Sequence, residues 1–302
     1  MSASVVVAPA RSTFWLARAT AYFELTKPKI AVMVLIAVAA SACVATWGQP
    51  NPWLVLHAVL GTLLVAASSC AANQWIERAR DRLMLRTADR PLPQHRLSGS
   101  EALTFSLVLL GAGFAWLVLF VQPLTAYLAL ATWLLYVVVY TPLKTRTSWN
   151  TAIGAVPGAL PVLIGWSCVG GTFDLRAAGL FLTLLLWQFP HFMAIAWIYR
   201  RQYHAAGFRM LTTVDPTGRW AGFQAVVCAT ILIPISLVPV LAAPGVGSMA
   251  YAVAAVLLGL AQLACALAFA WSRNDLSARR LLRASLIYLP LLLACLVAFP
   301  GG

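Results

Sequence analysis

Asn73, Glu77 and Asp81 are spaced four residues apart, so on a helix each step advances about 400° and the row drifts by only about 40° per step. Three oxygen donors then line one helical face. Arg82, Arg86 and Arg90 follow directly. Carboxylates with guanidinium groups just beyond them suit a hard cation bridged to phosphate, because Mg2+ keeps few protein ligands and shares the rest of its shell with phosphate oxygens. The competing reading is a solvated basic loop after a membrane helix, since topology alone asks for such arginines. It fits Asn73 and Glu77 poorly. Both continue the apolar run over residues 54–70, and polar groups at that depth are costly and usually functional.

Further polar groups follow apolar runs in the same way. Tyr140-Thr-Pro-Leu-Lys144-Thr-Arg146-Thr-Ser-Trp-Asn150 offers Lys144 and Arg146, either as phosphate donors or as topology determinants. Gly154 and Gly158 are spaced GxxxG, which serves close helix packing or close approach of a ligand. Pro157 and Pro161 break the ladder of the same helix, so that helix is expected to face protein or a cavity where freed backbone groups find partners. His191 stands directly after Pro190 inside an apolar run. Three roles are open to it: bonding a freed carbonyl, haem contact or proton transfer. Trp75-Ile-Glu-Arg78 and Trp197-Ile-Tyr-Arg200, each at a helix end, hint at an internal duplication.

The elements that hold these groups must be membrane helices. Hydrophobic residues make up 62% and charged residues 10% of the 302, with mean hydropathy +0.85, outside the range of a soluble globular chain. The net charge of +13 does not point to nucleic acid, because the Lys and Arg lie in short segments between apolar runs, a topogenic pattern. The six Cys are scattered singly with no CxxC spacing and read as small core residues with no disulfide or metal role. The first twenty-two residues carry Arg11 and Arg18 but no signal-peptide run, and the segment is short for a transit peptide.

Windows of about twenty residues, enough to cross roughly 30 Å of hydrocarbon, predict an all-α integral membrane protein of nine transmembrane helices. The expected spans are 30–48, 54–76, 101–121, 124–141, 151–169, 178–199, 220–240, 248–271 and 282–299. Residues 1–302 form one domain, with an N-terminal segment over 1–25 and chemistry-bearing loops over 77–100 and 200–218. Every Lys and Arg except Arg176 falls in the N-terminal segment or after an even-numbered span. That places the N-terminus and those loops in the cytoplasm, and with no convincing presequence in view the expected membrane is a bacterial plasma (inner) membrane. The last three spans carry no acid but Asp275 and no His, as befits scaffold.

The run Asn73-x3-Glu77-x3-Asp81-x2-Met84-x-Arg86-Thr87-x2-Arg90-Pro91-Leu92 resembles the first aspartate-rich motif of the UbiA-type membrane prenyltransferases. Its Met-x-Arg-Thr-x-x-Arg-Pro extension is similar to the haem O synthase branch, the protoheme IX farnesyltransferases. Supporting stretches cover most of the first two thirds: Leu25-Thr-Lys-Pro-Lys, Tyr140-Thr-Pro-Leu-Lys144, Asn150-Thr-x-Ile-Gly-x-x-x-Gly-Ala-x-Pro, Trp187-Gln-x-Pro-His191-Phe and Tyr203-x2-Ala-Gly207-x2-Met210-Leu211.

The resemblance implies a helical bundle around a central cavity open to lipid, with diphosphate held at the cytoplasmic end. It implies haem B and farnesyl diphosphate as substrates, Mg2+ as cofactor, and hand-off of the product to a haem A synthase or terminal oxidase. Loss of diphosphate would leave an allylic cation, the haem vinyl group would attack it, and water would capture the new cation. Carried over by position, Asn73, Glu77 and Asp81 are Mg-diphosphate ligands and Arg86, Arg90 and Lys144 diphosphate partners. Arg146, Asn150, Gln202 and Asp215 join the binding set, and His191 is the haem-side contact. Two departures stand out. Gln202 replaces the acid usual before the second Tyr-x-x-Ala-Gly motif, bringing no charge to a second Mg2+, and Thr212 replaces a Pro after Met210-Leu211. Asp215 could then substitute, one metal could suffice, or activity could be reduced. The alternatives are a prenyltransferase of the same fold acting on a quinone precursor or other lipid acceptor, or a haem-binding membrane protein that has lost catalysis.

Overall fold

The computed structural model describes residues 11–242, 244, 245 and 247–299. Helix α1 spans Arg11–Leu25, and nine further helices among the described residues are long and apolar enough to cross a membrane. These are α2 (Pro28–Ala45), α3 (Pro52–Asp81), α4 (Gly99–Phe120), α5 (Pro123–Leu143), α6 (Asn150–Cys168), α7 (Leu175–Ile198), α8 (Arg219–Leu241), α9 (Ser248–Ser272) and α10 (Asp275–Ala298). Local chemistry fixes several starts. Asn51 accepts the N–H groups of Trp53 and Leu54 ahead of Pro52, Ser98 and Glu101 close a capping box on α4, and Asn274 and Ser277 do the same for α10. Each satisfies amide groups that a helix start leaves without partners.

Three boundaries differ from the sequence expectation, for one physical reason. Helix α3 continues to Asp81, so its loop begins at Arg82 and not at residue 77; α10 begins at Asp275, seven residues before the expected 282; and α1 was not expected. In each case charged residues on a helical turn lower the hydropathy of a segment that packing still holds. Helix α1 buries Ala21 and Leu25 against Ala71, Leu92, Leu97 and Ala102.

Helix α6 is the most deeply buried of these spans. It packs on α2, α5 and α7, in line with its two interior prolines. Gly154 and Gly158 serve packing, since a methyl group on them would overlap the Tyr140 ring and the Gln188 amide respectively. Gly165 lies equally close to α2, against the Val38 carbonyl, and Ser41 Oγ donates to Val162 O at 2.8 Å across the same contact.

The two Trp-x-x-Arg motifs make the same clasp. Arg78 donates to Trp75 O at 2.6 Å with its guanidinium 5.2 Å from the Trp75 ring. Arg200 donates to Trp197 O at 2.7 Å and sits 4.3 Å from the Trp197 ring. At the opposite end of the bundle Arg176 lies 3.7 Å from the Trp47 ring and 5.3 Å from the Trp166 ring, paired with Asp174. It thereby ties the ends of α2, α6 and α7 together.

Candidate active site

Asn73, Glu77 and Asp81 form the predicted row on the last turns of α3, and all are buried, at 1%, 6% and 2% exposure. Each meets a cationic side chain from a different segment. Lys27 Nζ donates to Asn73 Oδ1 at 2.7 Å, Lys144 Nζ lies 2.9 Å from Glu77 Oε1, and Arg90 donates to Asp81 Oδ2 at 2.8 Å. Buried charges persist in pairs of this kind because an isolated one would be too costly to desolvate.

Lys27 is the member that the sequence analysis missed. Its backbone is left-handed, φ +48°, an uncommon conformation for a side-chain-bearing residue, and it ends the α1–α2 turn directly before Pro28. Burial, with Arg90 nearby, pushes its ammonium down to about 8. The Lys-Pro-Lys stretch was the available signal. For Lys144 burial also works against the charge, but Glu77, Tyr140 and Tyr136 outweigh it and hold the ammonium above its ordinary range.

Helix α5 delivers Lys144 through an irregular last stretch. Leu134–Tyr140 is wound as a π-helix, and both the N–H and the hydroxyl of Thr141 bond to the Tyr136 carbonyl, five residues back. The Thr141 hydroxyl also accepts from Asn73 Nδ2 at 3.2 Å. Asn73 is thus held from both sides, by Lys27 on its oxygen and by Thr141 on its nitrogen.

The other predicted residues divide. Arg86 joins the cluster's rim, 4.6 Å from the Tyr199 ring and 5.6 Å from the Tyr203 ring, donating to the Tyr203 hydroxyl at 3.1 Å. Gln202 Oε1 accepts the backbone N–H of Arg86 at 3.2 Å. Arg146 is exposed. Asn150 is fully buried and donates its amide to Thr147 O and Arg209 O at 2.7 and 2.9 Å, so it clasps two loops together; its nitrogen is spent on backbone. Asp215 accepts from Thr217 through Oδ1 and, through Oδ2, from the Trp220 N–H in the first turn of α8. Partial burial opposes its charge, but these bonds hold its carboxyl below the ordinary range. Thr212, in the expected proline's place, donates to Ala196 O at 2.9 Å and staples the short helix Leu211–Val214 to α7.

His191 is held elsewhere. Its Nδ1 lies 2.8 Å from Ser285 Oγ of α10, and its ring stacks 4.8 Å from Trp187, whose indole donates to Ser285 O. Its partner is a hydroxyl on a neighbouring helix, in place of the carbonyl that Pro190 frees.

The donor set suits one hard divalent cation. One amide and two carboxylate groups stand in a buried row, and Glu77 Oε1 has no hydrogen-bond partner of good geometry among the described residues despite its ion pair. Asn73, Glu77 and Asp81 would hold Mg2+ there, with phosphate oxygens filling its remaining positions. Around Gln202 and Asp215 no such set exists.

Residues 33–292 match the UbiA prenyltransferase family. The chain belongs to that family. It is 46% identical over 280 residues to the protoheme IX farnesyltransferase of Rhodopirellula baltica, covering 89% of this chain and 96% of the relative. It is 42% identical over 281 residues to the protoheme IX farnesyltransferase of Solibacter usitatus, at 90% and 95% coverage. Among solved structures, digeranylgeranylglyceryl phosphate synthase is similar with TM-score 0.77 at 16% identity, over 94% of this chain and 98% of that one. A UbiA homologue from Archaeoglobus fulgidus bound to DMAPP and Mg2+ is similar with TM-score 0.67 at 16% identity, over 91% and 96%. The fold of this UbiA-family chain is therefore that of a membrane prenyltransferase, and its buried oxygen row stands where the family motif was recognised.

Proposed function

We propose that this chain is a protoheme IX farnesyltransferase, joining the farnesyl group of farnesyl diphosphate to a vinyl group of haem B to give haem O and diphosphate. The observation that carries the reading is the buried row of Asn73, Glu77 and Asp81, with Lys27, Lys144 and Arg90 against it and Arg86 at the rim. When bound, Mg2+ supplies electrostatic stabilisation of the departing diphosphate.

The protein's own cations do the rest. Lys144, Arg90 and Arg86 bind diphosphate oxygens and meet the charge that grows on them as the carbon–oxygen bond breaks, and for Lys144, beside the buried row, such attraction is far stronger than in water. Arg86 and Arg90 bring planar forks matched to phosphate, and Lys144 a point charge. The electron-rich vinyl group then attacks the allylic cation, and water captures the cation so formed, releasing a proton and leaving a hydroxyl group. His191, braced by Ser285 and Trp187, is the proposed haem-side contact. The basic end faces the cytoplasm of a bacterial plasma membrane, and the product passes to a haem A synthase or terminal oxidase.

Purified protein in detergent with haem B, farnesyl diphosphate and Mg2+ is expected to release diphosphate and to form a haem heavier by one farnesyl group and one hydroxyl group. Diphosphate release with a quinone precursor but not with haem would replace this acceptor assignment.

A further inference from the structure

We propose that this protein works with a single divalent cation, and that the Arg86 guanidinium takes the side of the diphosphate that a second cation would otherwise occupy. The inference rests on the prenyltransferase reading above. Three observations carry it. Gln202, at the position where the family usually has an acid, offers only an amide oxygen, and that oxygen accepts the Arg86 backbone N–H at 3.2 Å. Asp215, the next acid along the chain, has both carboxylate oxygens engaged with the first turn of α8 and its approach. Asp275, which lines the same recess as Gln202, is paired with Arg200 at 2.8 Å.

Arg86 is built for the vacated task. The rings of Tyr199 and Tyr203 flank its guanidinium, and the Tyr203 hydroxyl takes one of its N–H groups. An arginine so oriented loses little freedom on meeting a phosphate, and its charge does not depend on pH. The aromatic faces also favour the cation without neutralising it. A neutral Gln202 matters here as well. It pins the Arg86 backbone while leaving the net positive charge of that loop intact, whereas a carboxylate there would add an opposing charge beside the residue that is to receive phosphate. Gln202 is thus a positioning residue for Arg86.

Mn2+ in place of Mg2+ allows bound cations to be counted by electron paramagnetic resonance, on purified wild-type protein saturated with the non-reacting analogue farnesyl thiodiphosphate. One Mn2+ per chain is expected, and two would overturn the proposal. Arg86→Gln is expected to weaken analogue binding about tenfold or more, the loss of one charged hydrogen-bonding partner, with the count still at one. Unchanged analogue affinity in Arg86→Gln would overturn the role given to Arg86. Wild-type protein that binds no analogue at all would fail the underlying prenyltransferase reading and the inference with it, an outcome distinct from a count of two.

Discussion

Asp81 and Asp215 are both acids at the basic end of the bundle, and from the sequence either could serve a metal. Their surroundings separate them. Asp81 is 2% exposed and paired with Arg90, whereas Asp215 closes a turn and takes a first-turn N–H of α8. Asp81→Ala is expected to cut farnesyl transfer about a hundredfold or more, the scale of losing one electrostatic element of a preorganised site, and to abolish Mn2+ binding while haem binding persists. Asp215→Ala is expected to leave turnover within about twofold and to lower stability by about 1 kcal/mol, as for loss of a capping side chain; a larger fall in turnover than for Asp81→Ala would reverse the two assignments. The Asp215 contribution also has a pH signature. Because its carboxyl is held below the ordinary range, the stabilisation is complete above that range and disappears as pH falls through the depressed value. The difference in melting temperature between wild type and Asp215→Ala should therefore hold steady near neutrality and close on acidification. The oxygen row was legible at this scale because its spacing is a helical repeat. Lys27 was not, since its approach to Asn73 depends on a left-handed turn and a contact between residues 46 positions apart.

At the scale of elements, hydropathy located every membrane helix but mistook where three charged helical stretches belong. Charge lowers a window average whether the segment is loop or helix, and only caps and packing tell them apart: the Asn274 capping box for α10, and the Arg90 and Lys144 pairs that let α3 keep its turns to Asp81. The π-helical stretch of α5 left no periodic trace. Yet it decides the rotation at which Thr141 and Lys144 leave the helix, and insertions of this kind recur at functional sites. Inserting one alanine after Val138, an exposed residue of that stretch, should turn Thr141 and Lys144 by about 100° relative to the residues before them. The expected result is protein that still inserts and runs as one species in detergent but binds farnesyl thiodiphosphate far more weakly, because Lys144 no longer reaches Glu77. Unchanged affinity would mean that the rotation set by this stretch has no part in the site.

For the molecule as a whole, contacts gather the basic loops at one end. Lys27 touches α3, Lys144 touches α3 and the Arg209 segment, Arg86 touches Gln202, and Arg200 touches Asp275. The other end carries Arg176, neutralised by Asp174 and enclosed by Trp47 and Trp166. Basic segments stay on the cytoplasmic side during insertion, so the bundle should stand with its diphosphate end inward, where a soluble diphosphate can reach it from the cytoplasm while the prenyl chain lies in lipid. Single cysteines in an otherwise cysteine-free chain test this directly. Gln94→Cys in the loop between α3 and α4, and Gln49→Cys at the opposite end, are both exposed positions. A membrane-impermeant thiol reagent should label position 94 only in inside-out vesicles and position 49 only in right-side-out ones. The reverse pattern would put the oxygen row on the outer side, away from any cytoplasmic supply of prenyl diphosphate, and the proposed function would fail with the orientation.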